Sequence, residues 1–113
     1  MSDIPLVLGV KFFRTEAGNE PVREWLTALA REQRRMVGTD IKTVQLGWPI
    51  GMPVVRKLDH GLWEVRTDLG DSIARVIFTV VDAEMVLLHG FIKKSQKTPH
   101  VDLRTAKQRK SRL

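Results

Sequence analysis

The sequence predicts an α+β domain of two layers, an antiparallel sheet with two helices packed on one face, in the order β-α-α-β-β-β-β-α. Three observations predict it. Two consecutive segments carry apolar residues at helical spacing, four short extended runs follow with tight turns between them, and Gly47, Pro49, Gly51 and Pro53 separate the two halves. At 113 residues, the chain is sized for a single domain, 1–113.

Leu6–Phe13 reads as the first strand, with Gly9 inside it. Ala17-Gly18-Asn19 forms a turn, Asn19 caps the first helix, and Pro21 suits its first turn. Val22, Trp25, Leu26 and Leu29 fall at i, i+3, i+4 and i+7, the apolar stripe of a surface helix. A second helix runs from about Glu32 to Leu46, with Val37, Ile41 and Val44 inward and Arg31, Arg34 and Arg35 on the exposed side. The Gly/Pro stretch after it is a loop, held on the core by Trp48 and Met52. The extended runs are Val54–Leu58, Leu62–Leu69, Ser72–Val81 and Met85–Ile92, joined as a meander. A last helix follows Thr98-Pro99, with Asp102 or Thr98 near its start.

Composition narrows the function. Lys and Arg number 19 against 13 Asp and Glu, for a net charge of +6. Residues 1–89 hold 11 basic and 12 acidic side chains, whereas residues 90–113 hold 8 basic and one acidic. The whole positive excess therefore lies at the carboxyl-terminal end. Such a block draws polyanions by Coulomb attraction and counterion release, although a solvated tail has the same composition. The absence of cysteine excludes disulfides, thiol nucleophiles and cysteine-bound zinc, and fits a cytoplasmic setting. Ile4–Val10 is too short for a membrane span and lacks the basic flank of a leader. No phosphate-binding glycine loop, His-Glu-x-x-His pair or magnesium-type carboxylate cluster is present, so no metal or cofactor is expected.

Strand alternation sorts the meander into two faces. Turns centred on Gly70-Asp71 and Ala83 set Arg66 opposite Arg75, Arg75 near Phe91 and Ile77 near His89. One face then collects Glu64, Arg66, Arg75, Ile77, His89 and Phe91; the other collects Trp63, Val65, Val76, Phe78, Val86 and Leu88 as the core under the helices. Facing arginines repel, by up to roughly 1 kcal/mol, and are easier to understand around an anion, for which guanidinium forks are well shaped. The alternative is a wet face on which Glu64 neutralises one arginine.

Specific runs carry a family resemblance. Gly-Leu-Trp-Glu-Val-Arg at 61–66, Ala-Arg-Val-Ile-Phe at 74–78 and Leu-Leu-His-Gly-Phe-Ile-Lys-Lys-Ser-Gln-Lys-Thr-Pro at 87–99 closely resemble phage-derived, HigB-type toxins of the RelE/ParE superfamily. Glu-Pro-Val-Arg-Glu-Trp-Leu at 20–26 and Gly-Trp-Pro-Ile-Gly-Met-Pro at 47–53 look similar too, so the likeness covers roughly residues 10–110. It implies a RelE-like fold and metal-free cleavage of messenger RNA, generally on the ribosome. It also implies neutralisation by a neighbouring antitoxin, often one with a helix-turn-helix domain.

Metal-free RNA cleavage uses the 2′-hydroxyl as nucleophile, and needs a base, an acid and cations for the pentavalent phosphate. The resemblance puts Arg66 and Lys94 on the phosphate and Lys57, Lys93 and Lys97 on the RNA. Arg75 joins them by register, and Arg104 by its place in the basic segment. Some RelE-type enzymes use a carboxyl-terminal tyrosine, but this chain has none, which leaves His89, His100 and Glu64 for proton transfer. Each histidine also has a plain reading, His89 as a satisfied interior residue and His100 as a helix cap. Two other functions remain open, a ParE-like gyrase poison and a non-toxic prophage nucleic-acid-binding domain. The Lys93-Lys94-Ser95-Gln96-Lys97 run argues against the former.

Overall fold

The computed structural model describes residues 6–113, so Ile4 and Pro5 lie outside the described residues. The elements are β1 (Gly9–Phe12), α1 (Pro21–Ala28), α2 (Arg31–Gly47), β2 (Val55–Asp59), β3 (Leu62–Asp68), β4 (Ile73–Val81), β5 (Glu84–Lys93) and α3 (His100–Lys110), the expected order. The sheet runs β1-β5-β4-β3-β2. Its four-stranded meander is antiparallel, but β1 pairs with β5 in parallel, so the sheet is mixed rather than wholly antiparallel. The pairing of Gly9 with Glu84 spans most of the chain, and no local turn announces it.

Three local expectations are corrected. The first strand covers four residues instead of eight, because the Val7 and Leu8 amides both donate to the Gln45 carbonyl on α2, at 2.8 and 3.1 Å. Asn19 does not cap α1: Glu20 occupies that position, and the Asn19 amide donates instead to Thr15 Oγ1 at 3.1 Å, closing the loop before the helix. Met52 does not pack the Gly/Pro loop down and is 63 % exposed. Trp48 does so, its ring edge-on to Trp63 at 5.0 Å and to Phe78 at 5.6 Å, and Ile50 packs against the same core.

Both faces of the sheet are covered. The larger core joins Val22 of α1 and Val37, Ile41 and Val44 of α2 to Val65, Val76, Phe78, Met85 and Leu87. A smaller one joins Phe13, Leu62, Ile77, Val86, Leu88 and Phe91 to Ala106 of α3. Val86 and Leu88 thus sit under α3, not under α1 and α2 as the alternation suggested. The cause is a bulge: Ile77 pairs with His89 but Phe78 with Leu87, so Leu88 is an inserted residue and every side chain before it changes face. Beyond the bulge the expected register holds, with Arg66 opposite Arg75 and Arg75 opposite Phe91.

Gly90 marks a close approach of α1 to β5. A Cβ there would lie 2.4 Å from Trp25 Cε3 and 2.7 Å from Cδ2, so the absence of a side chain is what admits the indole. Helix α3 is tied to the opposite face by polar contacts as well as by Ala106. Arg109 Nη1 donates to the Leu88 carbonyl at 2.7 Å, and His89 Nε2 meets Asp102 Oδ1 at 2.6 Å.

Candidate functional site

The cross-strand rows of the meander bring the charged residues together. Arg56 pairs with Glu64, which pairs with Ile77, which pairs with His89; the neighbouring row runs Arg66, Arg75, Phe91. Side chains within each row share a face, and these two rows form the face that α3 covers only at its His89 end.

The centre of this face is buried. Glu64 and Arg75 are 0 % exposed and Arg66 is 8 % exposed. Glu64 Oε1 accepts from Arg66 Nη1 at 2.9 Å, and Oε2 accepts from the Thr98 hydroxyl at 2.8 Å. The connection between β5 and α3 lies over the arginines. Arg56 Nη1 donates to the Gln96 carbonyl at 2.7 Å, with longer approaches to the same oxygen from Arg75 Nη1 at 3.4 Å and Arg66 Nη1 at 3.5 Å. Arg66 Nη2 donates to the Gln96 side-chain carbonyl at 2.9 Å. Arg75 Nε and Nη2 have no hydrogen-bond partner among the described residues, and its guanidinium lies 5.8 Å from the Phe91 ring centroid.

The cluster is under-neutralised: of its three guanidiniums, Arg66 alone is ion-paired, to Glu64, among the described residues. Burial is the largest influence on Arg75 and pushes its pKa down. Glu64 opposes that shift, whereas Arg66 and Arg56 add to it. Arginine does not give up its proton in proteins, so the strain is borne as charge.

A cleft of about 590 Å³ opens beside the cluster, lined by Arg66, Lys94 and Gln96 and by the carboxylates of Asp40, Asp68 and Asp71. Arg66 and Lys94, singled out by the sequence, therefore share one cavity. Arg75 adjoins Arg66 but lies behind Gln96, wholly buried. Lys93 ends β5 opposite Ile73, and Lys97 is exposed one residue beyond Gln96.

Other expected residues are placed elsewhere. Lys57 sits opposite Trp63, on the face away from the arginines. A regular two-residue turn pairing Asp59 with Leu62 would have brought it to Glu64; the irregularity between Lys57 and Asp59 brings Arg56 there instead. His89 is held at α3: its ring stacks on Phe91 at 5.5 Å, Asp102 takes one nitrogen, and Arg109 Nη1 lies 3.4 Å from the other. His100 and Arg104 line a separate hollow of about 190 Å³ with Leu103 and Lys107, and Lys107 is bonded to Asp59 at 2.6 Å. Neither histidine lines the cleft, and Glu64 is occupied by Arg66 and Thr98. Sequence reasoning missed Arg56, Gln96 and Thr98. Arg56 was readable from strand parity only with the bulge known, and Gln96 and Thr98 act through a loop that has no periodicity. Among the described residues there is no group of three side chains suited to a metal ion, and no helix long and apolar enough to cross a membrane.

Fold and site together define a small α+β protein with an under-neutralised arginine cluster beside a cleft on its sheet. The chain belongs to the phage-derived protein Gp49-like family, whose sequence pattern matches residues 24–111. The match takes in every site residue named here. No curated protein matches the chain.

Proposed function

We propose that this protein is the toxin of a toxin–antitoxin module and cleaves messenger RNA without a metal, on the ribosome. Phage-derived Gp49-like membership supports the toxin class, and the resemblance to HigB-type toxins supports the nuclease. The observation that carries the chemistry is the surplus of guanidinium charge in the Arg56, Arg66 and Arg75 cluster, beside a cleft that holds Lys94 as well as the carboxylates of Asp40, Asp68 and Asp71. Arg66 is tied to Glu64, but among the described residues no carboxylate is ion-paired to Arg56 or Arg75, so the cluster keeps its pull on an anion.

In this reading the scissile phosphate sits in the cleft. Arg66 stabilises the equatorial oxygens as they gain charge. His89 and His100 lie outside the cleft and Glu64 is engaged, so in this reading the Lys94 ammonium gives a proton to the departing 5′-oxygen while the attacking 2′-hydroxyl loses its own proton to solvent water. Lys93 and Lys97 hold the flanking backbone. The antitoxin, a helix-turn-helix protein encoded alongside, covers the same cationic face with acidic or apolar groups.

The test is expression with ribosome-bound RNA mapped for cleavage. Lys94→Ala and Arg66→Gln should lower cleavage by about a hundredfold or more while the fold persists. Full cleavage by both variants removes the assignment. One observation favours a second reading, that of a phage-derived nucleic-acid-binding domain which does not cut: both histidines lie outside the cleft. Steeply salt-dependent RNA binding by wild-type protein with no cleavage product would establish it. A DNA gyrase assay run alongside separates both from a ParE-like poison.

A further inference from the structure

Gln96 draws four arginine contacts to the two oxygens of one uncharged residue. Its main-chain carbonyl faces Arg56, Arg66 and Arg75, and its side-chain carbonyl faces Arg66. Neutral oxygens are poor partners for three cations. Charged donors form shorter and stronger bonds to anionic acceptors, and two of the four contacts here are long, at 3.4 and 3.5 Å. The local charge does not cancel either, because among the described residues Glu64 is ion-paired to Arg66 alone of the three, and the second of its oxygens is spent on Thr98.

Arg75 gives an independent sign of a missing partner. It is wholly buried, yet its Nε and Nη2 find no acceptor among the described residues. Leaving such groups unpaired is costly, and a structure keeps them where something else binds. The residue screening Arg75 is Gln96, in the irregular connection between β5 and α3, where residues 93–97 are all exposed. The connection is held down over the cluster by Thr98 on Glu64 and by Gln96 itself.

We propose that Arg56, Arg66 and Arg75 form a single phosphate-binding site, and that Gln96 occupies it as a stand-in until a phosphodiester arrives and displaces it. The exchange replaces two neutral oxygens by the charged oxygens of a phosphate, which can also reach the unpaired Arg75 hydrogens. Lys94 and Lys97 flank Gln96, so its departure shifts both lysines together. The unliganded site is thereby kept filled, and the lysines take up their working positions when the backbone of the ligand enters. This inference rests on reading the cleft as a phosphate site and does not require that RNA be cut.

The test uses inorganic phosphate as probe, with sodium chloride at equal ionic strength as control, and measures thermal melting and calorimetric binding. Wild-type protein should show a saturable rise in melting temperature with phosphate beyond that with chloride. Gln96→Glu places a carboxylate against Arg66, so it should melt higher without phosphate and bind phosphate about tenfold more weakly. Gln96→Ala removes one restraint, so it should melt lower and bind phosphate at least as tightly as wild type. A purely structural glutamine would have both variants weaken the protein in the same direction. Equal responses to phosphate and chloride in wild type, or unchanged phosphate binding in Gln96→Glu, would overturn the proposal. Phosphate binding in this pattern without RNA cleavage by wild type leaves the site standing and removes the nuclease reading alone.

Discussion

Replacing Glu64 by Gln isolates the electrostatics of the buried cluster. The two side chains have the same shape. The amide oxygen can still accept from Arg66, where Glu64 Oε1 accepts at 2.9 Å, and the Thr98 hydroxyl can turn to accept from the new amide nitrogen. What is lost is the negative charge among three guanidiniums. A unit charge pair at about 4 Å interacts by about 4 kcal/mol at an effective dielectric of about 20. Breaking a buried ion pair by removing one charge costs about 3–5 kcal/mol. Glu64→Gln should therefore lose about 3–5 kcal/mol, a large share of the roughly 5–15 kcal/mol that holds such a domain together. Equilibrium urea unfolding at neutral pH measures it, as a midpoint lowered by about 2 M with the slope unchanged. The companion variant Arg75→Met removes a cation with two unpaired nitrogens and keeps contact with Phe91, so alone it should stay within about 1 kcal/mol of wild type. In the Glu64→Gln background it should restore part of the loss, a coupling that a double-mutant cycle reads directly. A Glu64→Gln cost below about 1 kcal/mol, or no coupling to Arg75, would refute the idea that charge in this core is out of balance.

Four further outcomes are expected. Gly90→Ala forces a methyl into the Trp25 ring and should lower stability by about 2–3 kcal/mol, read by thermal melting; Trp25→Leu in the same chain should recover part of it. Ala83 sits at φ 61° in the two-residue turn between β4 and β5, so Ala83→Gly should raise stability by roughly 0.5–1 kcal/mol despite the extra freedom of the unfolded chain, measured by urea unfolding. Arg56→Gln should reduce the slope of log RNA affinity against log salt by about 1, whereas Lys57→Gln, on the other face, should leave it unchanged. The Lys107 ammonium, with help from the His60 amide, holds the Asp59 carboxyl below the usual carboxylate range. Its contribution is thus fully present above the unfolded-state value and disappears as pH falls through the lower folded-state value. Asp59→Asn should melt below wild type at pH 7, and the gap should close as pH falls from about 5 toward about 2.

The sequence carried the element order because helix and strand periodicities differ and the turns between β3, β4 and β5 are short. The Arg66–Arg75 pairing followed from one such turn, since two strands joined tightly have little freedom of register. The errors arose where one residue is inserted. The bulge at Leu88 moved Val86 and Leu88 to the other core and leaves no mark in residue type; the irregularity after Lys57 is as silent, and it sets Arg56 rather than Lys57 across from Glu64. The parallel union of β1 with β5 was hidden by distance along the chain. Arg66 was singled out by its place opposite Arg75 and by the family resemblance, and Lys94 by the resemblance alone. Gln96 could not be singled out, because its role depends on a main-chain oxygen that every residue has.

The late partner of β1 also bears on how the molecule comes into being. Gly9 finds its mate only at Glu84, and Gln96 and Thr98 come later still. Contacts of such long range carry the heaviest loop-closure entropy and slow folding most. A chain interrupted between Arg75 and Glu84 would possess Arg56, Arg66 and Arg75 yet lack both the strand that seats them and the segment that lies across them. The arginines are thus seated and covered by segments that follow them in the chain, and the cluster takes its final form only after Thr98 has joined it.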